Sequence, residues 1–266
     1  MTRHHKKIWL GIFGAVILIA LVLGFIYGVY PAAIVGGSVI SIHDRKENLA
    51  IAKSLNSNVD PAAVFASLIR NRQKQILLGK LGIKLDSTKL ADEFNYETTG
   101  KAVEFDKMLQ DSFGGNQKSF LKYITLPQTQ DALLRIKYNF YTSTNNNAYN
   151  KAKNILSRIH NNESFEDLAK TLSDDKVSGQ LGGDLGFVAK GQILPELQSV
   201  IETAELGRVY NDLVTSRLGY HIVYPIETAE REGQGVWHIK HILVQTSGYE
   251  VWLNQQLEGI SVWRIK

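Results

Sequence analysis

Leu181-Gly182-Gly183-Asp184-Leu185-Gly186-Phe187, then Gly191-Gln192-Ile193-Leu194-Pro195-Glu196, then Leu218-Gly219-Tyr220-His221-Ile222-Val223: these three runs decide how the chain is read. Three glycines in five residues, with Gly191 close behind, mark backbone that turns tightly or passes close to something else. Gly219-Tyr220-His221 leads into the apolar run Ile222-Val223-Tyr224, the signature of a buried strand with a histidine at its start. A glycine-rich turn can also cradle phosphate, but that needs a strand before it and a helix opening after it. Asp184 would repel an anion there, so the glycines are read as structural.

Composition narrows the function classes. The 266 residues suffice for one or two domains with real cores. Of the net charge of +4, Arg3, Lys6 and Lys7 carry three, which leaves 27 basic against 26 acidic residues in the body of the protein. Such a balance is no electrostatic footprint for nucleic acid, and no nucleic-acid partner is expected. The chain has no cysteine, which excludes a disulfide framework, a thiol nucleophile and a cysteine-ligated metal. His238 and His241 lie three apart in a strand-like run, so they point to opposite faces and are not expected to hold a metal. No cofactor is expected.

The N-terminus reads as a membrane anchor. Ile8 to Tyr30 is 23 residues without a charge, long enough to span the hydrocarbon core as a helix. Arg3, Lys6 and Lys7 precede it, which places residues 1–7 in the cytoplasm and everything after Tyr30 outside. The run is too long for the core of a cleavable signal, and Tyr30-Pro31-Ala32-Ala33 is a poor cleavage site. The expected location is therefore the plasma (inner) membrane, with a single pass and extracytoplasmic domains.

Beyond the anchor, Ile34 to Ile40 reads as a hairpin about Gly36-Gly37, and Ser41 with Asp44 as the cap of the next helix. Asp60-Pro61 opens a helix whose apolar positions run from Val64 to Leu77. Ser87, Phe105 and Ser119 belong to further helices. Pro127 to Tyr141 favours a helix, with proline in the first turn. Thr142 to Asn147 is a polar break and the best domain boundary. Ser164, with Asp167 three residues on, caps a short amphipathic helix, and Tyr249, Trp252, Leu253 and Leu257 form the apolar face of a C-terminal helix.

Phe165-Glu166-Asp167-Leu168-Ala169-Lys170-Thr171-Leu172-Ser173-Asp174-Asp175 and the three runs quoted first make four ordered blocks. They resemble the parvulin (PpiC, rotamase) type of peptidyl-prolyl cis-trans isomerase domain. The helical block upstream resembles, more loosely, the N-terminal part of SurA- and PrsA-type exported foldases. The resemblance implies an α+β fold: a transmembrane helix over 8–30, a helical domain over 31–144, and a parvulin-like domain with a small antiparallel sheet over 145–247. A C-terminal helix over 248–266 is expected to pack on the last of these. In one respect the chain departs from the family. The family's opening strand carries a histidine, but here that place holds Ile136 to Tyr141 with Asn139 at the histidine position. Trp237-His238-Ile239-Lys240-His241-Ile242-Leu243-Val244 near the C-terminus fits that strand, which suggests a circular permutation. A truncated second unit is the competing reading.

The resemblance further implies His221 and His241 as paired histidines, Asp175 as the acidic residue facing substrate, and Ser216 as the hydroxyl residue. Ile193 and Leu197 would line the proline pocket where the family more often has methionine and phenylalanine, and Gln192 would help to hold the substrate backbone. The implied function is a membrane-tethered isomerase that helps exported polypeptides with Xaa-Pro bonds to fold. A holdase chaperone or assembly factor with this fold and little turnover is the alternative, and a purely structural envelope protein leaves the four blocks unexplained.

Overall fold

The computed structural model describes residues 24, 30–141, 147–231 and 233–265. The expected anchor therefore lies, apart from Gly24 and Tyr30, outside the described residues, as does most of the polar break after Tyr141. Among the described residues no helix is long and apolar enough to cross a membrane. The fold is α+β and divides into two compact units, one holding the residues up to Ile76 and from Leu257, the other Leu77–Gln256.

In the first unit, strands β1 (Pro31–Val35) and β2 (Ser38–Ser41) form the hairpin about Gly36-Gly37. Helix α1 (Ile42–Leu55) starts at a capping box: the Asp44 N–H donates to Ser41 Oγ at 3.0 Å and the Ser41 N–H to Asp44 Oδ2 at 3.3 Å. Such a cap contributes about 1 kcal/mol by satisfying donors that a helix start leaves open. Helix α2 (Pro61–Lys80) begins behind Asp60, whose carboxylate accepts from the N–H groups of Ala62 and Ala63. Ala33, Val35, Ile40, Phe65 and Ile69 are buried here.

The second unit opens with helices α3 (Ser87–Thr98), α4 (Ala102–Phe113) and α5 (Gln117–Phe120), a π-helical turn (Leu121–Thr125) and α6 (Leu126–Tyr141). Helix α3 starts at Ser87 as read, and Asp86 caps it by accepting from the Lys89 N–H. Phe94, Phe105 and Phe113 surround Phe120 edge to face, an arrangement that the ring quadrupoles favour. Next come α7 (Asn147–His160), α8 (Phe165–Leu172), α9 (Lys176–Gln180), β3 (Asp184–Ala189), α10 (Pro195–Ile201), β4 (Val214–Thr215), β5 (Gly219–Arg231), β6 (Gln234–Gln245) and α11 (Tyr249–Glu258). The helix expected over 248–266 ends at Glu258; after it the chain forms β7 (Val262–Arg264), which pairs antiparallel with β1 in the first unit.

Four strands of the second unit form an antiparallel sheet in the order β3-β6-β5-β4. Val223 pairs with His241 and His221 with Leu243, so His221 and His241 sit diagonally on the same face. The opposite face carries Tyr220, Ile222, Ile242 and Val244, packed on Ala152, Ile155 and Leu156 of α7 and Phe165, Leu168 and Ala169 of α8. The histidine face carries Val223 and Ile239, which pack with Ile193, Leu194, Leu197 and Ile201 around α10. The two-residue period of the strands thus separates a helix-covered core from a second, smaller one that lies beside the site.

Candidate active site

Strand β6 positions the site. Where β3 stops pairing at Asp184, the segment before α9 takes over the β6 edge: Leu243 N–H donates to Ser173 Oγ, Asp174 N–H to the Leu243 carbonyl, and Gln245 N–H to Asp174 Oδ2. Gly183 lies against the same strand. Its carbonyl accepts from the His241 N–H at 2.8 Å, its φ is +84°, and a Cβ there would come within 2.5 Å of the His241 carbonyl oxygen. Only glycine fits both the conformation and the space, which explains the glycine doublet of the sequence.

These contacts bring four polar side chains into one row. Ser216 Oγ is 2.8 Å from His221 Nε2, His221 Nδ1 is 3.1 Å from His241 Nδ1, and His241 Nε2 is 2.9 Å from Asp175 Oδ2. Proton positions follow from the partners. Asp175 is ionised and can only accept, so the His241 Nε2–H donates to it. A neutral His241 then accepts at Nδ1, which requires His221 to donate from Nδ1 and to accept at Nε2 from the Ser216 hydroxyl. Ser216 Oγ in turn accepts from the Leu218 N–H at 3.0 Å. The row is satisfied from end to end with both rings neutral.

Electrostatics agree with that assignment. Burial pushes the His221 pKa down, and the neighbouring His241 adds to it; His241 is likewise lowered by burial, against the pull of Asp175. Burial alone would raise the Asp175 pKa, but hydrogen bonds from Ser178 and His241 outweigh it and bring it to about 2. Asp175 is also the N-cap of α9, with Oδ1 accepting from the N–H groups of Val177 and Ser178 while Ser178 Oγ donates to Oδ2 at 2.6 Å.

The histidine face opens onto a cavity of about 480 Å³. Asp175, His221, His241, Ile193 and Leu197 line it, together with Leu185, Leu194 and Leu218. Ser216 is fully buried behind His221 and acts on the cavity only through that ring. Gln192 lies elsewhere: it is exposed, and its side-chain carbonyl accepts from the Ala189 N–H at 2.8 Å, closing its own turn. Among the lining or supporting residues that the sequence reading did not single out are Leu185, Ser178 and Tyr96. Leu185 sits inside the glycine run, Ser178 stands at cap spacing from Asp175, and Tyr96 comes from α3 with no local signal. His238, on the opposite face of β6, pairs with Asp184 at 2.9 Å and takes no part in the row.

Asn139 falls on helix α6 and not on a strand. Its side chain is fully buried, and its amide donates to the Ser216 carbonyl at 2.8 Å. The Tyr220 hydroxyl donates to the Asn139 carbonyl. Helix α6 thus supports the backbone beside Ser216 from below.

With this geometry in place, likeness to known proteins becomes informative. Residues 132–227 match the family model of the PPIC-type PPIase (rotamase) domain. Over that stretch the chain is similar to parvulin-type rotamase domains, and its relatives include SurA and PrsA proteins. It is 30% identical over 137 residues to the chaperone SurA of Alkalilimnicola ehrlichii, covering 50% of this chain and 31% of that protein. It is 39% identical over 85 residues to the chaperone SurA of Chromohalobacter salexigens, covering 32% and 19%. It is also 39% identical over 74 residues to the foldase protein PrsA 2 of Bacillus anthracis, covering 28% and 26%. The chain thus spans less than a third of the length of these relatives. The parvulin match begins on helix α6 and ends at Glu227, so β6, with His241, lies beyond it.

Proposed function

We propose that this protein is a membrane-tethered peptidyl-prolyl cis-trans isomerase that assists the folding of exported polypeptides. The observation that carries the reading is the row Ser216–His221–His241–Asp175 lying along one wall of an apolar cavity within a parvulin-type domain. In this reading β6 takes the place of the family's opening strand: it lies antiparallel beside β5 and supplies His241, while the residues where that strand would fall form α6. The chain is then circularly permuted, with residues 145–247 as the isomerase domain and 31–144 as a SurA-like helical domain. The uncharged run from Ile8 to Tyr30, with basic residues before it, supports a tether with the domains outside the cytoplasm.

The chemistry requires no covalent step. A prolyl amide turns over slowly because rotation breaks resonance, at a barrier of about 18–20 kcal/mol. Ile193, Leu197, Leu185 and Leu194 offer the prolyl ring an apolar seat, and a site that binds the twisted amide more tightly than the planar one lowers the barrier. A thousand-fold acceleration needs only ~4 kcal/mol of such preference. The histidine row supplies a rigid wall whose dipoles do not have to reorganise. Asp175 adds a fixed negative charge at the cavity, opposing the partial negative charge that the planar amide places on its oxygen.

A second reading, a chaperone that grips extended chains with little turnover, draws on one specific feature. The serine, both histidines and the aspartate largely satisfy one another, which leaves few donors free for substrate. Exchange measurements on a short Xaa-Pro peptide with the full chain in detergent separate the two. Acceleration that falls at least ten-fold in a folded Asp175→Asn variant supports the isomerase. A folded wild-type chain that suppresses aggregation of an unfolded protein but leaves exchange at its uncatalysed rate makes the second reading the correct one.

A further inference from the structure

The apolar lining that the parvulin-type segment gives the cavity is aliphatic and includes Ile193 and Leu197. One ring other than the histidines also lines it among the described residues: Tyr96, on α3 of the helical segment. Tyr96 packs against the Ile193, Leu194 and Leu197 cluster. It also lines an adjoining recess with Asn95, Gly191 and Ile193, so its ring stands between two hollows that share the Ile193 wall.

This ring is held by an arrangement that local folding does not require. Glu93 lies three residues before Tyr96, on the same face of α3. It is 4% exposed, and its two carboxylate oxygens receive both terminal nitrogens of Arg217. Arg217 sits between Ser216, which donates to His221, and Leu218, which lines the cavity. Its guanidinium lies 5.7 Å from the centre of the Tyr96 ring, and its Nε is 3.6 Å from Glu196 of α10. At the end of α3, Gly191 has a φ of +85°, and a Cβ there would come within 2.5 Å of Thr99 Oγ1. The turn that leads to Ile193 is therefore pressed against α3. A buried bidentate arginine pair is geometrically specific, and this one fixes α3 to both the histidine segment and α10.

We propose that Tyr96 is a substrate-binding and specificity-determining residue, the aromatic wall of the prolyl cavity, supplied by helix α3 from outside the parvulin-type segment. This inference rests on the isomerase reading of the site. A planar ring presents a large apolar face at low conformational cost. Lining the cavity beside Ile193 and Leu197, it adds an aromatic surface for the prolyl ring and the residue next to it. Glu93 and Arg217 are positioning residues that act through Tyr96 and the loop bearing Leu218.

The test uses the full chain in detergent and a fluorescein-labelled peptide with a single Ala-Pro bond. Affinity is read by anisotropy, turnover by exchange NMR, and folding by circular dichroism. Tyr96→Ala is expected to raise Kd and KM at least five-fold with kcat within two-fold of wild type, the pattern of lost uniform binding. Tyr96→Phe is expected to stay within two-fold on all three. Should Tyr96→Ala not fold, Tyr96→Leu keeps apolar bulk without the ring and is expected to lose at least three-fold in affinity. Unchanged or tighter binding in a folded Tyr96→Ala or Tyr96→Leu chain, with wild-type turnover intact, overturns this inference and leaves the isomerase reading standing. Wild-type binding without turnover, weakened by Tyr96→Ala, does the reverse. A folded wild-type chain that neither binds nor turns over the peptide overturns both.

Discussion

Strand β6 carries two histidines three residues apart, each with a ring nitrogen 2.9 Å from an aspartate, yet they belong to different environments. The His238 side chain is 22% exposed and that of Asp184 35%, and the pair stands beside Glu227 and the Phe187 ring. The corresponding values for His241 and Asp175 are 8% and 25%, and the second ring nitrogen of His241 faces another buried histidine. At equal distance, the more exposed pair is better screened and contributes less. The buried pair is one link in a row where removing a member takes a partner from its neighbour in a poorly solvated place. Distance alone does not make a site; what surrounds the pair does.

The severest way to break this comparison is to remove the strand that carries both histidines. Because β6 lies between β3 and β5, a chain ending at Gly233 is expected to lose cooperative unfolding of residues 145–231. Urea titration followed by circular dichroism would reveal it, and an unchanged sharp transition would mean that β6 does not complete the sheet. The next largest effect separates the two histidines. His241→Ala is expected to cost about 2–4 kcal/mol, since His221 and Asp175 both lose a buried partner, whereas His238→Ala should cost about 1 kcal/mol or less. Equal losses in urea unfolding would erase the distinction.

Acidification sharpens the contrast further. The native chain holds His221 and His241 neutral, with both pKa values lowered. Below about pH 6.5 the unfolded chain binds protons that the native chain refuses, so stability falls with pH by up to ~1.4 kcal/mol per unit for each ring. Asp175, held at about 2, acts in the same direction. Its contribution is present above the ordinary carboxylate pKa and is lost as pH drops from about 4 toward 2. Urea midpoints should hold from pH 7.5 to about pH 6.5 and then decline down to pH 4.5, and a flat profile would mean that the rings can charge in place. The smallest effect belongs to Ser178→Ala, which removes one hydroxyl hydrogen bond from Asp175 and should cost about 1 kcal/mol while raising the pKa of Asp175. Carboxylate NMR titration would detect the rise.

Much of the fold was legible because its signals are local. The Ser41, Asp60 and Ser164 caps, the Gly36-Gly37 hairpin and the strand after Gly219 each depend on residues a few positions apart, and all formed as read. Three features were not legible. Strand β7 is three exposed residues with no alternation to mark it, and it exists because β1 offers an edge to pair with. Gln192 follows a glycine in a family-like run, but its side-chain carbonyl accepts from the Ala189 N–H within its own turn. Tyr96 looked like one more helical residue, since nothing within α3 shows which surface its ring will meet.

By itself, the sequence determined where many of the elements start and stop and which residues could take part in acid, base or polar chemistry. It did so because capping, turn formation and hydrophobic period are short-range effects. Only the tertiary structure decided that His221 and His241 share a face and a hydrogen bond, that Asp175 ends their row as a helix cap, and that Tyr96 lines the cavity. Those outcomes depend on strand register and on the packing of elements up to 145 residues apart in the chain. Register follows from the summed burial of whole strands, a quantity that no single stretch contains.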